Sequence, residues 1–540
     1  MTEEGLSLVS KAKPANVSRA RLLVIVGSMY FGEFFTALDS TVVTTLLSHI
    51  ASDLHELSRV VWIATGYLIA FSACQSLYGK LSDIFGRRMI LIVCNLLFAL
   101  GCGICGVSNS LEVLVLGRVI SGIGGGGMQS LATIAISDLV PLKDRGIFQA
   151  VENAFFCVGA GLGGVLGGML SDLIGWRNVF NIQVPFILVS MLLLMAFYNV
   201  ESRDREEPII QREPGPSYGA VSNDLPPTGN EEKSMRYKVR RVDFKGSILL
   251  VLSLCSIMFV ISTGGSQFAW TGVVIPSMTI MSVIFTGLFI YVEQYVAKEP
   301  VIPLFLFKNP TIIVASFTNL FCTMAMYNVL YFAPIFYSAV FNLNPTQLGQ
   351  RLSAHFIGAA SGSFLSGIYV SKFQRYKNIT IWASILLTAG ASIIVTLAPN
   401  TPSFLQYLVL YLCGTGYSSI LTVTLLAYIA AVPKELQAVV TSVRYVFRGT
   451  GTTLGVSIAS SVFNNLLSRQ LHHKVVGPNA DAIIKQVLDS VEAIRSIPRS
   501  YQPAVISSYD FSLKVTFAVA TFFALLTIVS SSLLKEHRLN

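Results

Sequence analysis

The sequence predicts an all-α polytopic membrane protein, and three observations carry that expectation. Fourteen apolar runs interrupt the chain, each suited to a tilted helix that needs about 20 residues to cross a bilayer. Of 540 residues, 53% are hydrophobic and only 12% are charged, against about 25% charged in an ordinary soluble domain. The cations gather in alternate loops, which is how charge sets membrane topology. The lipid bilayer is therefore a partner. The net charge of +9 sits mostly in tails and loops, so no nucleic-acid partner is expected.

The elements follow in order. Residues 1–20 are a polar tail with Lys11, Lys13 and Arg19, and nothing in them resembles a cleavable signal. Six apolar runs lie near 22–48, 60–79, 89–107, 111–137, 146–170 and 178–199. Residues 200–245 are rich in Pro, Gly, Glu and Arg and read as a disordered cytosolic linker. Eight runs follow near 246–264, 273–296, 311–337, 347–370, 378–398, 403–432, 437–463 and 511–534. The expected organisation is a six-helix half over 21–199, two inserted helices over 246–296, and a second six-helix half over 297–535. A tail follows at 536–540. Within the second half, 464–510 is a loop on the far side of the membrane, and Ala480–Ile497 has an amphipathic pattern.

Charge decides the orientation. Lys80, Arg87, Arg88, Lys143, Arg145, Lys298, Lys308, Lys372, Arg375, Lys377 and Lys434 fall in loops of one side; Arg59 and Arg177 fall in short loops of the other. The even number of runs puts both termini on one side, and the asymmetry makes that side the cytosol.

Gly79-Lys80-Leu81-Ser82-Asp83-Ile84-Phe85-Gly86-Arg87-Arg88 is a tight basic turn between runs 2 and 3. It resembles the signature loop of the major facilitator superfamily, Gly-x-Leu-(small)-Asp-x-x-Gly-Arg-(Arg/Lys), and matches every position. The resemblance implies the major facilitator fold and a gating role for Gly79, Asp83, Gly86, Arg87 and Arg88. In that role Asp83 caps the start of run 13 and Arg87 pairs with Asp138 at the end of run 4. The alternative is a loop that only obeys the charge rule. Gly367 to Arg375, aligned on Gly79, repeats Gly, Phe and Arg at matching offsets. Two related halves suit a transporter with a midplane site.

Buried charges mark candidate sites. Leu38-Asp39-Ser40-Thr41-Val42-Val43 in run 1 resembles the helix-1 motif of the proton antiporters. Gly117-Arg118-x-x-x-Gly122 in run 4 resembles their helix-4 motif. Asp39 lies roughly 14 Å from the far end of its helix and Arg118 roughly 10 Å from the same face. The matching depths suggest a pair, either functional or holding two helices together. Glu33 lies near the membrane middle and is set roughly 120° around the helix from Asp39. A carboxyl there can carry a proton or stay protonated and hydrogen-bonded. Glu152 is closer to the cytosolic side, where water can reach it. This acidic excess favours a cationic substrate. Arg444 and Arg448, one turn apart in run 13, oppose it. Either they pair within the protein, or a substrate with both a cation and a carboxylate uses both sides.

Run 5 carries Gly159, Gly163, Gly164, Gly167 and Gly168, a spacing that lets helices approach closely. It resembles the antiporter motif Gly-x-x-x-Gly-Pro-x-x-Gly-Gly, with Gly164 in place of Pro, which leaves a proline-dependent kink without its cause. Gly124 to Gly127 read the same way. The eight cysteines all lie in apolar runs, and the Cys102/Cys105 spacing has no second ligand pair. His355, inside run 10, reads as a satisfied helix histidine. No metal, cofactor or catalytic constellation is expected, and no enzyme.

Ser121 to Met128, Ser137 to Leu142 and Trp176 to Pro185 narrow the resemblance. They are most similar to fungal vacuolar basic amino acid transporters of the fourteen-helix drug–proton antiporter branch. This implies a monomeric, proton-coupled antiporter moving Lys, Arg and His across the vacuolar membrane by alternating access. Ser48-His49 departs from the pattern of many relatives. A plasma-membrane exporter of drugs or cations would share the acidic excess, and a nutrient sensor would bind without transporting.

Overall fold

The computed structural model describes residues 18–54, 61–199, 239, 241–264, 268, 271–297, 299–343, 345–433, 436–477, 480–489, 494 and 497–536. Most of the tail at 1–20, most of the linker at 200–245, part of 480–497 and nearly all of the tail at 536–540 lie outside these residues.

Within them the chain is almost entirely helical. The first group is α1 (Arg19–Leu54), α2 (Val61–Phe85), α3 (Arg87–Val107), α4 (Leu111–Leu139), α5 (Leu142–Ile174), α6 (Trp176–Asn181) and α7 (Gln183–Phe197). Next come α8 (Phe244–Thr263) and α9 (Val274–Tyr295), then a short 3-10 helix at Leu304–Lys308. The last group is α10 (Pro310–Ala339), α11 (Pro345–Phe373), α12 (Lys377–Thr396), α13 (Ser403–Ala430), α14 (Gln437–Lys474), α15 (Ala480–Asp489) and α16 (Gln502–Ser532).

Local chemistry explains several boundaries. Gly86 separates α2 from α3 at φ +92°, a backbone that an L side chain rarely adopts. Ser110 Oγ accepts from the Val113 N–H, Asp243 Oδ1 from Gly246 and Asn309 Oδ1 from Thr311. Each answers a free N–H at a helix start. Run 6 is broken at Ile182 into α6 and α7, which together form one span, Trp176–Phe197. The segment at 464–510 is shorter as a loop than its hydropathy suggests. α14 continues to Lys474 and α16 begins at Gln502, because polarity ends an apolar run without ending a helix. Between them α15 is amphipathic: Ile483, Ile484 and Val487 are buried, and Asp481 and Lys485 are exposed.

Among the described residues ten spans are long and apolar enough to cross a membrane unaided, and α5 makes an eleventh if its two bent parts are one span. Each of the fourteen apolar runs corresponds to a helix or, for run 6, to the α6–α7 pair. α2, α11 and α14 are less apolar, and polar side chains on them reach other helices: Gln75 of α2 to Gln129, Ser442 of α14 to Gly79, and Ser363 of α11 to Thr422.

The two groups repeat one packing scheme. α1 packs on α5 and α2 and α3 pack on α4; likewise α10 packs on α14 and α11 and α12 pack on α13. Each group has its own apolar core, one centred on Phe98, Leu131 and Ile187, the other on Phe336, Leu387 and Phe517. The groups meet along α2 with α14 and α5 with α11. α8 and α9 pack together outside that arrangement, and α8 rests on α2 and α14.

Candidate functional site

The meeting surface between the groups holds the buried charges of Glu33, Glu152 and Arg444. On α1, Glu33 is buried, and its Oε1 accepts from Gln129 Nε2 of α4 at 3.3 Å. Gln129 Oε1 accepts in turn from Gln75 Nε2 of α2 at 2.8 Å. Glu152 of α5 lies beside Glu33 and its Oε1 accepts from Thr133 Oγ1 at 2.6 Å. Thr133 Oγ1 also lies 2.9 Å from the Tyr445 hydroxyl of α14. One hydrogen-bonded chain therefore runs from α2 through α4 to the second group. Glu152 is only 1% exposed, so its place near the basic face does not wet it. That corrects the sequence reading, and the cause is that Glu33 of α1, Thr133 of α4 and, through Thr133, Tyr445 of α14 close around it.

The arginines of α14 face these acids. Arg444 is buried, and its Nη2 donates to the Leu421 carbonyl of α13 at 3.0 Å. Arg448 lies 5.9 Å from the Tyr445 ring centroid and beside Tyr417 and Tyr327. Both act electrostatically on Glu152, yet among the described residues no ion pair closes between these acids and these arginines. Glu33 Oε2 and Glu152 Oε2 have no hydrogen-bond partner, nor do Arg444 Nε and Nη1.

Asp39 and Arg118 occupy a second, separate pocket. Arg118 Nη1 donates to Asp39 Oδ2 at 2.6 Å, with both side chains essentially inaccessible. The guanidinium lies 4.1 Å from the Tyr67 ring centroid and 5.9 Å from that of Phe180. Stacking on aromatic faces and a charge-assisted hydrogen bond together compensate a buried arginine.

The 79–88 turn builds a third constellation. Arg87 Nε donates to Asp138 Oδ2 at 2.9 Å, its Nη1 to Ser82 Oγ at 2.5 Å, and its Nη2 lies 2.6 Å from Asp83 Oδ1. Arg88 donates to Asn199 Oδ1 and to the Met195 carbonyl. These contacts tie α2, α3, α4 and α7 together within the first group. Two links cross to other parts of the fold: Gly79 N–H donates to Ser442 Oγ of α14 at 3.1 Å, and Lys80 Nζ to Glu299 Oε2 at 3.0 Å. A Cβ on Gly79 would stand 2.6 Å from the Ala438 carbonyl oxygen. The two groups are thus closed on each other at the face that carries this turn. Arg145 Nη1 to Gln437 Oε1 at 3.1 Å, and the contact of Gly146 with Gly367, close it further.

The glycines of α5 divide. A Cβ on Gly159 would meet the Phe34 carbonyl oxygen at 2.3 Å, and one on Gly163 the Leu38 carbonyl oxygen at 2.5 Å, so α5 and α1 touch backbone to backbone. Gly167 is buried. Gly168 departs from the packing reading, since a Cβ there would meet nothing within 4 Å. α5 bends by 43° between its parts Asp144–Gly164 and Leu166–Ile174. The bend forms without proline. His355 is also corrected: it is buried and its Nδ1 has no partner.

Sequence reasoning passed over Gln75, Gln129, Thr133, Tyr445 and also Asn153, whose Nδ2 donates to Ser363 Oγ of α11 at 2.9 Å. The amides carried a signal: Gln and Asn are costly in apolar runs unless hydrogen-bonded. Thr133 and Tyr445 carried none. Among the described residues no cluster of three or more His, Cys, Asp or Glu could hold a metal.

A profile of the Major Facilitator Superfamily matches residues 29–456. The chain belongs to that superfamily. It is therefore a multi-pass membrane transporter and not an enzyme. Among its relatives in Schizosaccharomyces pombe is the "Multidrug resistance protein fnx1", 32% identical over 507 residues, covering 93% of this chain and 90% of that one. Another is the "Vacuolar membrane amino acid uptake transporter fnx2", 30% identical over 544 residues, covering 99% and 89%. The proton:xylose symporter XylE shares the fold of this superfamily member, with a TM-score of 0.57 at 14% identity, covering 96% of this chain and 97% of that one.

Proposed function

We propose that this chain is a proton-coupled antiporter that moves the basic amino acids Lys, Arg and His across the vacuolar membrane by alternating access. The observation that carries the reading is the Glu33–Glu152 pair: two buried carboxyls side by side, each with an unpartnered oxygen, on the surface where the two helical groups meet. Two adjacent carboxyls repel when both are charged. Such a pair takes either a proton or a cationic ligand, and that exclusion is what antiport needs. The relative named as a vacuolar amino acid uptake transporter supports the substrate class and the membrane.

In this reading the protein is a monomer with fourteen spans, two six-helix halves over 21–199 and 297–535, and cytosolic termini. The basic face is cytosolic and closed in the present arrangement, with Glu33 and Glu152 buried; parting of the opposite face then gives lumenal protons access. Lumenal protons load the carboxyl pair and displace the amino acid. The Gly79–Ser442 and Lys80–Glu299 contacts then part for the inward-open state. Asp39–Arg118 holds α1 to α4 through the cycle, and its charge balance is part of the coupling.

The test is uptake of labelled arginine and lysine into proteoliposomes with an acidic interior. Uptake that collapses with the pH gradient is the expected outcome; none, in vesicles that still exchange a cationic dye for protons, would favour a drug or cation exporter at the plasma membrane. That second reading draws on the relative named as a multidrug resistance protein.

A further inference from the structure

Arg444 is an anomaly in this fold. A guanidinium shielded from water is costly unless it is paired and hydrogen-bonded. The other fully buried arginine, Arg118, has a carboxylate at 2.6 Å and an aromatic ring beneath it. Arg145 uses its Nε on the Val140 carbonyl and its Nη1 on Gln437. Arg448 has Tyr417 and Tyr327 beside it and the Tyr445 ring near it. Among the described residues Arg444 has the Leu421 carbonyl on one nitrogen, the Tyr445 ring centroid at 5.4 Å, no ion pair, and nothing on Nε or Nη1.

Across the meeting surface the complementary vacancy appears. Glu33 and Glu152 each keep one oxygen without a donor. Tyr445 stands between the two sides. Its ring belongs to the arginine side, while its hydroxyl reaches Thr133, which holds the other oxygen of Glu152. Unanswered donors on one group of helices thus face unanswered acceptors on the other, held apart by one tyrosine. A ligand that carries one carboxylate and two cationic centres complements one guanidinium and two carboxyls.

We propose that Arg444 anchors the α-carboxylate of the transported amino acid, while Glu33 and Glu152 receive its α-ammonium and its cationic side chain. This rests on the basic amino acid reading above and adds a selection rule. The carrier accepts arginine and lysine and rejects their decarboxylated counterparts, agmatine and cadaverine. A carrier that read positive charge alone would favour the diamines. The anchor also makes the substrate itself the bridge between the helical groups, so that binding draws α14 toward α1 and α5.

The experiment is equilibrium binding of labelled arginine and labelled agmatine to the full-length protein in lipid nanodiscs. Unlabelled lysine, agmatine and cadaverine serve as competitors. Lysine is expected to displace arginine, with the two diamines roughly ten- to hundredfold weaker, the scale of one lost charge-assisted hydrogen-bonding partner. Arg444→Gln should bring arginine down to the agmatine level while leaving agmatine binding no weaker, which also reports that the variant is folded. Arg444→Lys should restore part of the difference. Agmatine that competes as well as arginine in the unmodified protein would overturn the anchor and leave a cation carrier standing. So would an Arg444→Gln variant that weakens both ligands alike. A protein that binds neither arginine nor lysine, yet binds a labelled lipophilic cation, would overturn the anchor and the amino acid reading together.

Discussion

Asp39 and Glu152 are both buried carboxyls, but their surroundings give them different tasks. Asp39 faces a guanidinium that is 1% exposed. Removing its charge leaves that guanidinium uncompensated, so Asp39→Asn should lose about 3 kcal/mol of stability. Loss of proton-driven uptake should accompany it. Thermal unfolding in detergent checks the first and proteoliposome uptake the second; a variant as stable as the parent would mean the pair is not isolated from water. Glu152 has no arginine in contact, and its fixed oxygen is held by a neutral hydroxyl. Glu152→Gln keeps an acceptor for Thr133 and removes both the titratable proton and the negative charge. It should fold normally, fail to concentrate arginine against a pH gradient, and still exchange internal for external arginine, at a raised half-saturating concentration because one of the two carboxyls that receive the cations is neutral. Counterflow measurements separate those two outcomes.

The helices meet through glycine at specific crossings. Gly159 and Gly163 let α5 lie on the α1 backbone, whereas Gly168 faces open space. Gly159→Val and Gly163→Val should therefore prevent a monodisperse protein in size-exclusion chromatography, while Gly168→Val should stay within about 0.5 kcal/mol of the parent. The repeat gains physical content here. Gly79 on α2 sits against Ala438 and Ser442 near the start of α14, and Gly367 on α11 sits against Gly146 near the start of α5. Each repeat glycine therefore marks where the second helix of one group crosses the fifth span of the other. The sequence showed that these glycines correspond. It could not show what they touch, because the partner in each case comes from the other end of the chain.

At the scale of the whole molecule, the basic face is held by contacts far apart in sequence. Glu299 is the joint: Lys80 donates to its Oε2 at 3.0 Å, and Arg241 Nε to its Oε1 at 2.7 Å. Burial works against the charged form of Glu299, but the hydrogen bonds from Arg241 and Lys80 outweigh it and hold its carboxyl below the ordinary value. A lowered carboxyl pKa contributes stability above the unfolded value and loses it as pH falls through the folded value. The joint therefore stays charged at neutral and mildly acidic pH, and the proposed proton coupling does not act through it. Glu299→Gln should loosen the closed face by roughly two- to fivefold, the scale of partly exposed ion pairs. Thiol labelling of an Ala438→Cys variant reads this, and an unchanged rate would show that the glycine contacts alone close that face.

Composition and apolar length determined that the chain is a helical membrane protein, because solvent preference acts on each residue wherever the chain folds. The 79–88 turn could be read for the same reason: Gly86, Arg87 and Asp83 satisfy local geometry and pair within four residues. Asp39 with Arg118 was legible at one remove, since depth along two helices is countable. The Glu33–Glu152 pair, the chain through Gln129, Thr133 and Tyr445, and the unanswered donors of Arg444 were decided by the tertiary structure alone. Burial and partnership at those positions are set by helices from opposite halves of the chain, which no local pattern brings together. Glu152 shows the difference most directly: its distance from the helix end suggested water, and side chains of α1, α4 and α14 close around it.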